Sequence, residues 1–209
     1  MTGSEFNGKA VAATVVLAVI FWFITFYLEW GVFWFKIAPA ALILAGLSFL
    51  LQPAHYLRFS LNWRNILIGL ASAALLYLIF WTGKAISTAI LPFAADQVGA
   101  IYSKGEGTPS WMIVLLLFFV TGPCEEIYWR GFLQRQLMTR LGDGRGWLLA
   151  TALYAGVHVS SGNFMLIGAA AVAGAFWGAM YWRFRDVSAI IISHSIWSTF
   201  IFAVVPVPG

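Results

Sequence analysis

Charge is what this sequence has least of. Only 10% of its 209 residues are Asp, Glu, Lys or Arg, against about 25% in a soluble domain. No polar stretch is long enough to enclose a core, so a separate soluble domain is not expected. One cysteine rules out an intramolecular disulfide framework. There is no tandem repeat, no low-complexity tract and no HExxH, the spacing that puts two zinc ligands on one helix. The first apolar run lacks a small-residue cleavage site, so a cleavable signal peptide is not expected. The net charge of +4 is dispersed between apolar segments and is not a nucleic-acid footprint.

What the chain has instead is apolar length. It is 61% hydrophobic, in runs near the roughly 20 residues that cross a bilayer as a helix. The expected fold is therefore all-α, a polytopic transmembrane helix bundle of about seven spans. The expected spans are 10–28, 32–51, 65–83, 111–141, 147–160, 164–182 and 187–205. Residues 84–102 read as an interfacial helix, or as a continuation of the third span broken by Pro92. Residues 142–146 read as a turn. Ala170, Gly174 and Gly178 form a small-residue stripe suited to close helix packing. Residues 1–6 resemble a vector-derived scar. Residues 7–110 hold three spans and a connecting segment, 111–205 a four-helix core, and 206–209 a tail. With the N-terminus inside, the inner loops carry Lys9, Arg58, Arg64, Arg135, Arg140, Arg145, Arg183 and Arg185, and the outer loops only Lys36, Lys84 and Lys104. This asymmetry predicts a cytoplasmic N-terminus and an external C-terminus. The short chain and minimal loops suggest a prokaryotic cytoplasmic membrane.

The scarce charges are placed where they are most expensive. Cys124-Glu125-Glu126-Ile127-Tyr128-Trp129-Arg130 continues the apolar run from Trp111. Ionisable groups inside hydrocarbon mark a functional site by default. Glu126 and Arg130 are four apart, share a helix face and can neutralise each other. Glu125 points about a quarter-turn away and has no partner in sequence reach. Counting from the inner surface puts Glu125 and Glu126 about 16–18 Å deep, His158 about 16 Å and His194 about 10 Å. Three helices thus bring two carboxylates and two imidazoles to similar depth. Tyr154 lies one turn before His158, and Ser198 one turn beyond His194. Two chemistries fit such a group. A carboxylate removed from water is a stronger base, and it can activate a water beside an imidazole while a second imidazole and a hydroxyl stabilise an oxyanion. Alternatively Glu125, His158 and His194 ligate zinc. The metal-free reading is the one we take, with no cofactor. Cys124 reads as a small buried residue rather than a nucleophile.

These positions resemble the CAAX protease and bacteriocin-processing family of intramembrane endopeptidases, also called type II CAAX-prenyl endopeptidases. Its pattern is EExxxR, then FxxxH, then HxxxN, on successive helices. Glu125-Glu126 with Arg130 matches the first fully. Tyr154 to His158 matches the second with Tyr for Phe, and His194 to Ser198 the third with Ser for Asn. The resemblance implies hydrolysis of a peptide bond in a membrane-anchored or lipidated protein. It makes Glu125 the base and His158 a water-positioning group. His194 and Ser198 would face the oxyanion, and Arg130 would brace Glu126. A competing class is a transporter or immunity protein using the polar cluster for ions or protons; a transporter should show internal repeats and broken helices in both halves.

Overall fold

The computed structural model describes residues 6–204, apart from the side chain of Ala54. The first five residues of the vector-like segment and the tail 206–209 lie outside the described residues. The described chain is an all-helical polytopic bundle of eight helices. These are α1 Gly8–Phe26, α2 Phe33–Leu50, α3 Trp63–Ile90, α4 Ala94–Tyr102, α5 Ser110–Leu141, α6 Asp143–Gly156, α7 Phe164–Phe184 and α8 Ser188–Val204. Of these, α1, α2, α3, α5 and α7 are long and apolar enough to cross a membrane. The sixth and eighth are shorter, so the expectation of about seven spans holds only approximately.

Local chemistry explains the boundaries. Asn7, Asn62 and Asn163 precede α1, α3 and α7, and each side chain accepts the backbone N–H three residues on. The third helix runs past the expected 83 to Ile90, where Leu91 turns extended ahead of Pro92. The segment 84–102 is therefore partly a continuation of α3 and partly the separate helix α4. Gly142 takes φ +81° and alone reverses the chain, so α6 starts at Asp143 and not after a five-residue turn. Beyond Gly156 the chain tightens into a single turn of 3₁₀ geometry over Val157–Ser161. His158 sits on that turn rather than on a regular helix.

Large apolar side chains cover the outer face of α3, where Leu67, Leu70, Leu75 and Leu78 are all exposed. Inside, α8 packs against α3, α6 against α7 and α1 against α2. Two glycines permit the crossings that matter for the site. A Cβ on Gly122 would lie 2.7 Å from Ser195 Oγ, so its absence lets α8 approach α5. A Cβ on Gly178 would lie 2.7 Å from Trp147 Cδ1, so α7 can approach α6. The bare α7 backbone also serves as an acceptor. Gln134 Nε2 of α5 donates to the Gly178 carbonyl at 2.8 Å, and Trp147 Nε1 donates to that of Ala175 at 3.0 Å.

Candidate active site

The fifth helix is irregular where the charges lie. It widens to π geometry over Leu117–Thr121 and again over Ile127–Gln134, bracketing the turn that carries Glu125 and Glu126. Such widenings are rare and recur at functional sites. Pro123 supplies no N–H to the ladder, which fits a helix that changes pitch here.

The two carboxylates have different surroundings. Glu126 is fully buried. Its Oε1 accepts Arg130 Nη1 at 2.8 Å and His194 Nδ1 at 2.6 Å. Arg130, itself 2% exposed, also reaches the Gly174 carbonyl at 3.4 Å. Its guanidinium carbon lies 4.6 Å from the Tyr154 ring centre and 5.5 Å from that of Trp177. The charge is thus neutralised by Glu126 and flanked by aromatic faces. Glu126 Oε2 has no hydrogen-bond partner among the described residues. Glu125, by contrast, makes no ion pair among the described residues. Its Oε2 accepts the Tyr154 hydroxyl at 2.9 Å, and the side chain lines a cavity of about 260 Å³. Tyr154, His158 and His194 line the same cavity. The expectation of one carboxylate paired and one unpaired describes this arrangement.

Each imidazole is held by named partners. His194 stacks on Trp177, with ring centres 4.0 Å apart and planes 18° apart. Its Nδ1–H donates to Glu126, which leaves Nε2 as the nitrogen that can serve the cavity. His158 Nδ1–H donates to the Tyr154 carbonyl at 2.8 Å. Its Nε2 then accepts, and the indole N–H of Trp22 on α1 fills that role at 3.1 Å. Trp22 is buried and stands edge-on to both Trp129 and His158. Sequence reasoning missed it, because a tryptophan in a span without polar neighbours carries no signal of its own. Ser198 is not brought to this cavity. Its hydroxyl turns to the Ser195 carbonyl at 3.4 Å, and it lines an adjoining apolar cavity of about 420 Å³.

The zinc set weighed above, Glu125, His158 and His194, does not fit a tetrahedral site as these side chains stand. Both His158 nitrogens are engaged, and His194 offers only Nε2. Among the described residues no three His, Cys, Asp or Glu side chains converge as a ligand set.

The cavity has a direction. Besides the site residues it is lined by Lys104 and Ala100 from the α4 region and by Ser161 and Asn163 at the α6–α7 connection. All four lie at the end of the bundle opposite Arg58, Arg140 and Arg183. Because α6 stops after 14 residues, about 21 Å, that end of the site is not sealed by a full-length span.

Comparison with known proteins adds one finding. Residues 107–200 match the family model described as type II CAAX prenyl endopeptidase, Rce1-like. That segment runs from just before α5 into α8 and contains Glu125, Glu126, Arg130, Tyr154, His158, His194 and Ser198. No curated protein and no solved structure matches the chain.

Proposed function

We propose, from the match of residues 107–200 to the Rce1-like type II CAAX prenyl endopeptidase model, that the protein hydrolyses a peptide bond within the membrane using a water activated by Glu125. The observation that carries this reading is the division of labour between neighbouring carboxylates. Glu126 is consumed by Arg130 and His194, whereas Glu125 faces a cavity and, among the described residues, is hydrogen-bonded only by the Tyr154 phenol.

The chemistry balances with these groups alone. Glu125 takes a proton from water as the hydroxide adds to the scissile carbonyl carbon. The oxyanion that forms is met by His194 Nε2–H, the ring carrying both protons while Glu126 holds Nδ1. Glu125 then returns its proton to the departing amine as the C–N bond breaks. Arg130 holds Glu126 in place. Tyr154 fixes the Glu125 carboxylate and backs the Arg130 guanidinium. His158 holds the water through Nε2 once the Trp22 indole yields that position. Catalytic contacts that form only with substrate bound are common. The step requires no cofactor.

The adjoining apolar cavity supports a substrate that is itself membrane-bound. It lies between α3, α4, α7 and α8 and shares Ile101, Leu117, Leu166, Trp197 and Phe202 with the site. An apolar chain there would place a neighbouring peptide bond beside Glu125, which points to a membrane-anchored or lipidated protein. With the arginine-rich end cytoplasmic, the cavity mouth at Lys104 and Ser161 opens to the outside.

The test compares membranes holding wild type with membranes holding Glu125→Ala. An uncleaved membrane-anchored protein accumulates only with the variant. Identical protein profiles would sink the proposal.

A further inference from the structure

A third cavity lies at the arginine-rich end of the bundle, away from the carboxylates. It measures about 850 Å³ and is walled by the start of α1, by Gln52 and Tyr56 from the α2–α3 connection, and by Arg135 and Gln136 of α5. Its lining includes two cations, Lys9 and Arg135, and, among the described residues, no carboxylate.

Arg135 is the telling residue. It is only 9% exposed. Its Nε donates to Gln52 Oε1 at 2.9 Å, and its guanidinium carbon sits 4.1 Å from the Tyr56 ring centre. Arg135 itself lines the cavity, beside Gln52 and Tyr56. Nη2 has no hydrogen-bond partner among the described residues. A buried guanidinium with a spare donor and no counter-charge among the described residues is costly to hold. A phosphate group supplies both missing elements, because its oxygens accept from the N–H groups of the planar guanidinium.

The first turn of α1 adds to the same wall. This 19-residue helix starts at Gly8, and both Gly8 and Lys9 line the cavity. The Asn7 side chain caps Ala10, and the Asn7 N–H donates to Gln136 Oε1 at 3.0 Å, which fixes the helix end against α5. Helix N-termini present partial positive charge to anions. The level is also suitable. Arg135 lies six residues, roughly 9 Å, inside the end of α5, and Ala10 and Val11 begin the buried apolar part of α1 beyond it. That is headgroup depth.

We propose that this cavity binds a phosphate group, either the phosphate ester of an anionic lipid headgroup or free phosphate. Arg135 is its hydrogen-bonding anchor, Lys9 its charged rim and the α1 N-terminus its third support.

The test uses the full chain in an uncharged detergent, titrated with inorganic phosphate, dioctanoyl phosphatidylglycerol and dioctanoylglycerol while its thermal unfolding is followed. At least one phosphate-bearing probe raises the midpoint saturably, and dioctanoylglycerol does not. Saturation by inorganic phosphate identifies free phosphate as sufficient. Saturation by the phospholipid alone identifies the headgroup. Lys9→Gln, at an exposed position, weakens binding about threefold to fivefold, as for a rim charge. Arg135→Lys keeps charge without the fork and weakens it about tenfold or more. If Arg135→Lys does not fold, Lys9→Gln decides alone. Glu125→Gln binds as wild type does, so the result is independent of the hydrolytic reading. The proposal is overturned if no phosphate-bearing probe saturates, if dioctanoylglycerol acts equally, or if the folded variants bind as wild type does.

Discussion

Exchanging the charge of either carboxylate for an amide should separate folding from chemistry within one dipeptide. Glu126 is completely buried and holds the Arg130 guanidinium at 2.8 Å and the His194 ring at 2.6 Å. Glu126→Gln removes the only anion paired with Arg130 among the described residues, and Arg130 is itself 2% exposed. Leaving one partner of a buried pair uncompensated costs about 3–5 kcal/mol. The Gly174 carbonyl and the faces of Tyr154 and Trp177 offset part of this, so a loss of about 3 kcal/mol is expected. Glu125→Gln breaks no ion pair. The amide oxygen still accepts the Tyr154 hydroxyl, and the loss is about 1 kcal/mol or less. Its effect on hydrolysis is large, since losing a general base lowers turnover about 10²–10⁴-fold. The assay is denaturant unfolding of both variants in detergent, alongside cleavage of the accumulated anchored protein. If Glu125→Gln unfolds as readily as Glu126→Gln, the division of roles between the two is wrong. Full turnover by Glu125→Gln would remove it as the base.

Three shorter predictions follow from other parts of the molecule. On α7, Gly178→Ala forces a methyl to within 2.7 Å of Trp147 and should destabilise by about 1–3 kcal/mol; Gly168→Ala, with nothing within 4 Å, should be neutral or stabilising in the same unfolding measurement. Exhaustive chelation should leave proteolysis unchanged, and a loss restored by added zinc would favour the metal reading. In a Cys124→Ala background, an impermeant maleimide applied to intact cells should label Lys104→Cys and spare Arg140→Cys; the reverse pattern would place the cavity mouth on the cytoplasmic side.

The architecture was largely readable before any coordinates, for a plain reason. Hydrocarbon imposes one solution on an uncharged run of some 20 residues, so α1, α2, α3, α5 and α7 follow from apolar length alone. What length cannot convey is where a helix stops inside the slab. Residues 147–160 look like an ordinary short span, yet the regular helix ends at Gly156 and the last turn tightens. Neither Gly156 nor Gly162 marks that end uniquely, because glycine is also frequent inside transmembrane helices. The pitch changes in α5 were equally silent. They emerge when Glu125, Glu126 and Arg130 must meet partners on three other helices at once.

Within the site, legibility followed charge. Glu126 and Arg130 were paired by spacing, and their contact is at 2.8 Å. Spacing could not say that Glu126 also takes His194, sixty-eight positions away, because helix adjacency is a tertiary fact. The partner of His158 was harder still. An imidazole with one nitrogen on a backbone carbonyl needs a donor at the other or stands unpaired in a dry bundle. Any donor on any neighbouring helix would serve, and the eleven tryptophans of the sequence are near-equivalent candidates in one dimension. Trp22 fills the role because α1 packs beside the turn that carries His158. The N-terminal spans, which hold no motif, therefore reach the site through a neutral hydrogen bond. A functional contribution carried by an apolar-looking residue is what a search for charge overlooks.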